Sequence, residues 1–76
     1  MWQSGFDEVH TEEPVIIWTE GNAEIMEQYW TARKGTAVFK FPVYIAGVGE
    51  RKVMHGMYVT LAEAITGARS AKHFKK

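Results

Sequence analysis

The chain contains no cysteine, which excludes a disulfide framework, a thiolate metal site and a cysteine nucleophile. It contains no apolar run near the ~20 residues that a bilayer-spanning helix requires. Residues 1–13 lack the basic start and apolar stretch of a secretion signal. These absences predict a cytoplasmic protein, and its 76 residues allow one domain with a small core.

The formal net charge is zero, but the acidic and the basic residues are separated along the chain. Residues 1–28 hold seven acidic residues and no basic one, whereas residues 29–76 hold nine basic and two acidic residues. This division indicates either an anionic partner or an acidic half that neutralises a basic half within one monomer. The hydrophobic content of 46% is that of a globular domain and not of a disordered chain.

The first half of the chain predicts a strand followed by a helix. Pro14 precedes a β-branched and aromatic run at 15–19, which is typical of a strand. Asn22 suits the N-cap of a helix that would end at Gly35. The large apolar residues between them have the spacing of one helix face: Ile25, Met26, Tyr29 and Trp30.

The next stretch predicts a β-hairpin. Residues 36–45 and 51–60 alternate in polarity as paired strands do, and two glycines lie in the turn between them. Because proline cannot donate a hydrogen bond to a neighbouring strand, Pro42 predicts a sheet edge or a bulge.

A second helix is predicted after the hairpin. Thr60 and Glu63 have the spacing of a capping box. Gly67 lies inside this helix and costs about 1 kcal/mol relative to alanine. The residues that the helix would bury are Leu61, Ala64, Ile65 and Ala68.

Together these elements predict a small α+β domain with the order β-α-β-β-α, in which a three-stranded sheet carries two helices on one face. The domain would span residues 14–72. Residues 1–13 would form an acidic arm, mobile unless Trp2 and Phe6 dock on the domain, and residues 73–76 a basic tail.

No residue pattern predicts catalysis, a metal site or a cofactor. The three histidines, His10, His55 and His73, lack the spacing that places two imidazoles around one ion. Neither serine follows the pattern of a nucleophile elbow. Gly47 and Gly49 are explained by a hairpin turn rather than by a phosphate-binding loop. We therefore expect a protein that is not an enzyme.

The outer face of the predicted sheet is the first candidate binding surface. The core beneath the helices would hold Phe39, Phe41, Val43, Val53, Met57 and Val59. The opposite face is then too apolar for a solvated surface. The residues predicted to bind a partner there are Trp18, Tyr44, Met54 and Tyr58. The occupant would be the N-terminal arm, a second copy in a homodimer, or a foreign protein.

The basic half is the second candidate surface, and it would contact the phosphates of a nucleic acid. Its residues are Arg51, Lys52, Arg69, Lys72, Lys75 and Lys76. The acidic arm would compete with phosphate and gate this surface. Against the hypothesis, the isoelectric point of 6.8 lies below the value above ~9 that is typical of nucleic-acid-binding domains.

In size and style alone, the chain resembles accessory proteins of bacteriophages and mobile elements, many of which block a larger host machine by binding it. The sequence therefore predicts a non-enzymatic protein-interaction module, an inhibitor or accessory protein, that occupies a protein surface. Nucleic-acid binding by the basic half is the alternative.

Overall fold

A computed structural model describes residues 5–76 as an antiparallel five-stranded sheet followed by one short helix. The elements are β1 (Glu8–Thr11), β2 (Val15–Glu20), β3 (Ala23–Lys34), β4 (Ala37–Val48), β5 (Val53–Tyr58) and α1 (Leu61–Arg69). β3 and β4 form a long hairpin of two twelve-residue strands. β1 and β2 pair one after the other with β3, and β5 pairs with β4.

Three glycines reverse the chain at regular intervals. Gly21, Gly35 and Gly49 all have positive φ angles, of 56°, 61° and 94°, and they lie fourteen residues apart. The first two begin two-residue turns, because Glu20 pairs with Ala23 and Lys34 pairs with Ala37. Tight hairpin turns require a residue that tolerates positive φ, and glycine does so without steric cost.

The predicted three-stranded sheet with two helices is wrong, because residues 23–34 form a central strand. The large apolar residues of this segment fit either structure: in β3, Ile25 and Tyr29 point to one face and Met26 and Trp30 to the other. Pairing along both edges of β3 satisfies its backbone groups, and a glycine turn bounds each end. Asn22 therefore belongs to a turn and is not a helix N-cap.

The other predicted elements are found in the structure. The strand expected at 15–19 is β2, the expected hairpin is β4 with β5, and the last helix is α1. Pro42 lies where β4 is an edge strand, because the pairing with β5 begins only at Tyr44. At the helix start, the Thr60 hydroxyl accepts a hydrogen bond from the Glu63 amide at 3.2 Å.

α1 packs on one end of the sheet and forms the core with β3, β4 and β5. The fully buried core residues are Ala23, Ile25, Ala46, Val48, Ala64 and Ala68. Most of them are small, which lets the helix approach the sheet closely. Gly67 serves the same purpose, because a Cβ atom there would lie only 2.1 Å from the Tyr58 hydroxyl. The phenol of Tyr58 therefore lies directly on the helix backbone.

The C-terminal segment, predicted as a basic tail, docks on the turn between β2 and β3. The Asn22 side-chain amide donates to the His73 carbonyl and accepts from the Lys75 amide, both at 2.8 Å. The Asn22 backbone N–H donates to the Lys75 carbonyl at 2.9 Å. Phe74 packs against the core. One asparagine thus anchors the end of the chain.

The segment predicted as an acidic arm contributes a strand. β1 pairs with the second half of β3, from Glu8 opposite Arg33 to Thr11 opposite Trp30. The ring of Phe6 meets the ring of Phe39 edge-on, with 6.1 Å between centroids. Trp2, the other aromatic of that segment, lies outside the described residues.

The helix covers only part of the sheet, so the molecule is long, with extents of 46 × 26 × 19 Å. The radius of gyration is 14.1 Å, against about 11 Å for a compact domain of this length. We call the end beneath α1 the proximal half. The distal half comprises β1, residues 28–34 of β3 and residues 37–43 of β4, and α1 does not reach it. Within residues 5–76, no helix is long and apolar enough to cross a membrane.

Candidate interaction face

The sheet has two faces, and α1 packs on one of them, the helix-side face. The opposite one, here called the open face, follows from the strand register and the alternation of side chains. Its apolar residues are Val9, Ile16, Met26, Trp30, Ala32, Phe39, Phe41, Val43, Ile45, Met54 and Met57. They run from the proximal to the distal half. Ala32 and Val43 are buried, the others are partly or largely exposed, and no strand or helix among residues 5–76 packs on them as a second layer.

The helix-side face of the distal half carries ion pairs beside two exposed side chains, Tyr29 and Val38. Arg33 Nε lies 3.3 Å from Glu8 Oε2, and the Lys40 ammonium lies 5.3 Å from the centre of the Tyr29 ring. Hydrogen bonds from His10 and then Arg33 lower the pKa of the Glu8 carboxyl. Such an array of charges suits contact with water.

The open face of the same strands is apolar. Phe39 of the distal half is 48% exposed, and Met57 of β5, further along the same face, is 46% exposed. The indole N–H of Trp30 already donates to the side-chain oxygen of Gln28 at 2.9 Å. The indole N–H would therefore stay hydrogen-bonded if this face were covered. The total accessible surface is 5509 Å², several hundred Å² above the ~4,700 Å² expected of a compact monomer of this mass.

Of the four residues predicted to bind a partner, only Met54 lies on the open face, where it is 61% exposed. Trp18, Tyr44 and Tyr58 lie on the helix-side face and pack against the core. The Tyr44 hydroxyl donates to Glu27 Oε2 at 3.1 Å, and this hydrogen bond raises the pKa of Tyr44.

The sequence reasoning placed the wrong side of the hairpin beneath the helix. Phe39, Phe41, Val43 and Met57 were expected in the core beneath the helix, whereas α1 packs over Ala46. Val43 is buried as expected, but on the open face. The physical reason is that a helix approaches a sheet most closely over small residues. Val53 and Val59, also expected in the core, are exposed. The sequence did contain a signal for the open face, because four alternate positions are all apolar: Phe39, Phe41, Val43 and Ile45.

The basic residues separate into engaged and free groups. Arg69 forms a two-point ion pair with Glu20, at 2.8 and 2.9 Å, and its guanidinium lies 5.8 Å from the Trp18 ring centre. The Lys52 ammonium donates to the carbonyls of Asn22 and Gly49. Lys72 and Lys76 are exposed.

A groove lies between the β4–β5 turn and the C-terminal segment. Its lining includes Arg51, His73 and Lys75, together with Glu50, and among the described residues it contains no phenylalanine, tyrosine or tryptophan. The fold thus brings together two basic stretches of the sequence, but the aromatic platform for stacking bases is missing from the groove.

Ion pairs connect the acidic and the basic halves of the chain. Arg33 pairs with Asp7 and Glu8, Lys40 with Glu12, and Arg69 with Glu20. This arrangement agrees with neutralisation within one monomer. In the structure, the acidic residues of the first segment contact the distal half and do not reach the basic groove.

Within residues 5–76, no three histidine or carboxylate side chains are placed to hold a metal ion. Comparison of the chain with models of protein families, with curated protein sequences and with solved structures finds no match. The candidate site therefore rests on geometry alone, and its main feature is the open face.

Proposed function

We propose that this protein is a non-enzymatic interaction module of the cytoplasm, which acts by burying the open face of its sheet against a protein surface. An inhibitor or accessory protein that occupies a larger partner would act in this way. Phe39, Phe41, Trp30 and Met57 supply the contact area, and these residue types are enriched in interface cores.

One observation carries the proposal: the two faces of the distal half differ in polarity. Lys40 and Arg33 mark the helix-side face as solvated, while Phe39 and Phe41 of the same hairpin point the other way. A sheet that is stable alone needs a second layer on its apolar face. Phe6 meets the ring of Phe39 on this face, but no strand or helix of the described residues forms that layer.

The free edge of the sheet supports the proposal less well. On the side of β4 away from β3, residues 37–43 pair with no other strand of the described chain, but Lys40 and Pro42 lie in this stretch. Both residue types protect sheet edges from pairing with another chain. We therefore place the interaction on the face and not on the edge.

The test compares two neighbouring positions of β4 that point to opposite faces. A photo-crosslinking phenylalanine analogue is placed at Phe39 on the open face or, as the matched control, at Val38, which is 63% exposed on the helix-side face. After irradiation in cells, we expect covalent adducts from position 39 and few from position 38. Equal yields at the two positions, or no adduct at position 39, would contradict the proposal.

Nucleic-acid binding is the second candidate, and the basic groove is the observation that favours it. If it is correct, Arg51→Glu with Lys75→Glu abolishes binding to a single-stranded oligonucleotide, measured by fluorescence anisotropy at low salt. Lys40→Glu, a like change at the other end of the sheet, is the control. Unchanged affinity in the double variant would exclude the groove.

A further inference from the structure

We infer that the occupant of the open face is a second copy of this chain, packed face to face with its strands antiparallel to those of the first. This inference rests on the interaction face of the proposed function and names a second copy, instead of a larger protein, as its partner. The charges at the two ends of the face, the pairing of large with small residues and the exposed area support it.

Charge is confined to the two ends of the open face. Along β3, the side chains on this face are Glu24, Met26, Gln28, Trp30, Ala32 and Lys34. Glu24 and Lys34 lie ten residues apart, which is about 34 Å in a strand. Within residues 5–76, neither of them forms an ion pair. Two opposite charges without partners thus lie at opposite ends of one apolar surface.

A two-fold axis across the middle of β3 and β4 brings these charges together. The axis passes at the level of Tyr29 and Pro42, which are paired and stand midway between the two ends. It lays β3 of one copy over β3 of the other in the opposite direction. Glu24 then lies opposite Lys34 of the second copy, and the symmetry forms this pair twice. The parallel arrangement would instead place like charges opposite each other.

The same axis brings large side chains of one copy opposite smaller ones of the other. Interdigitation of this kind fills the space between two packed sheets, which stand about 10 Å apart. On β4 it pairs Phe39 with Ile45 and Phe41 with Val43, and on β3 it pairs Met26 with Ala32. In the outer strands, Val9 of β1 lies over Ile16 of β2. The face is therefore complementary to itself.

The exposed area agrees with a dimer of ordinary size. A stable interface takes about 800 Å² from each partner, and the accessible surface exceeds that of a compact monomer by several hundred Å². Packing two sheets together would also give the distal half the second layer that it lacks in one copy.

The experiment measures the mass of the purified full chain by sedimentation equilibrium over a range of concentrations. We expect a species of twice 8.7 kDa. Phe39→Lys should give a monomer, and Val38→Lys should remain a dimer. Glu24→Lys and Lys34→Glu should each weaken the dimer roughly tenfold, because each replaces two attractive pairs by two repulsive ones. The double variant Glu24→Lys/Lys34→Glu should restore wild-type affinity, because it recreates the pairs with exchanged signs.

Three results would overturn the inference: a wild-type monomer at every concentration, equal loss of the dimer in Phe39→Lys and Val38→Lys, or a double charge variant no better than the single ones. These failures are distinguishable from failure of the proposed function. In cells, a crosslink from position 39 to a protein of another mass would retain the interaction face and exclude the second copy as its occupant. Circular dichroism of each variant shows whether it is folded.

Discussion

The proximal and distal halves of this protein are built on the same two strands and differ in what lies on them. Beneath α1, the helix-side face consists of small apolar residues such as Ala23 and Ala46. Beyond the end of the helix, the same face becomes charged, with Arg33 and Lys40. The open face does not change in this way: from Met26 to Phe39 it is uncharged, and Gln28 is its one polar residue on β3 in that stretch. The change from apolar to charged residues along the helix-side face therefore marks where the covering helix ends. The open face has no such change between its two ends.

The largest effect that separates the two halves should come from truncating Ile25, the largest fully buried side chain. Ile25→Ala should lower the free energy of unfolding by about 2–5 kcal/mol, because it leaves a cavity in the proximal core. Phe39→Ala in the distal half should cost the monomer less than about 1 kcal/mol, since Phe39 is half-exposed.

Urea denaturation at several protein concentrations measures both variants. The loss in Ile25→Ala should be the same at every concentration. The loss in Phe39→Ala should grow with concentration, since it removes the stabilisation by dimer formation that mass action gives the wild type. Equal losses in the two variants, both independent of concentration, would show that the halves do not differ as described.

An intermediate effect is expected at Gly67, where helix propensity and packing oppose each other. In an exposed helix, Gly→Ala stabilises by up to about 1 kcal/mol. Here Gly67→Ala should destabilise by about 1–3 kcal/mol, because the new Cβ would lie 2.1 Å from the Tyr58 hydroxyl. In a Tyr58→Ala background the clash is absent, so the same substitution should become stabilising. A gain in stability from Gly67→Ala alone would contradict the close approach of Tyr58.

Local patterns were sufficient to predict about half of the fold. The run at 15–19, the alternation of 36–45 and the cap at Thr60 each indicate one kind of element, and the structure contains all three, with β4 continuing to Val48. Residues 23–34 are compatible with either a helix or a strand, because the spacing of their large apolar residues fits one helix face and two strand faces equally well. The regular spacing of Gly21, Gly35 and Gly49 would have favoured strands of twelve residues between two-residue turns.

The sequence was sufficient to predict that one face of the sheet carries an excess of apolar residues. It was not sufficient to predict which residues form that face. Placing aromatic residues beneath the helix was the wrong rule here, since Ala46 of the sheet and Gly67 of the helix allow the closer approach, and Phe39 and Phe41 lie on the other face. The docking of Lys75 on Asn22 depends on backbone groups distant in sequence, for which no local pattern exists. Long-range packing, rather than composition, decided both points.

The smallest effect should appear at the ion pair between Glu20 and Arg69, which joins β2 to α1 in the proximal half. A hydrogen bond from Arg69 lowers the pKa of the Glu20 carboxyl below its ordinary value of 4.5. A carboxyl whose pKa is lower in the folded state stabilises the fold above its unfolded pKa. That contribution is lost as the pH falls through the folded pKa.

Thermal unfolding of wild type and Glu20→Gln from pH 7 down to pH 2 would measure this contribution. At pH 7 the variant should melt at a lower temperature, and the difference should shrink below about pH 4.5 and vanish once Glu20 is protonated. Glu50→Gln is the control, because Glu50 lies in an exposed turn without an ion pair among the described residues. A difference that persists unchanged at low pH would mean that Glu20 stabilises the proximal half by packing and not by its charge. Such a result would leave the contrast between the two halves intact. The proximal half would then differ from the distal half by its packing and not by this ion pair between β2 and α1.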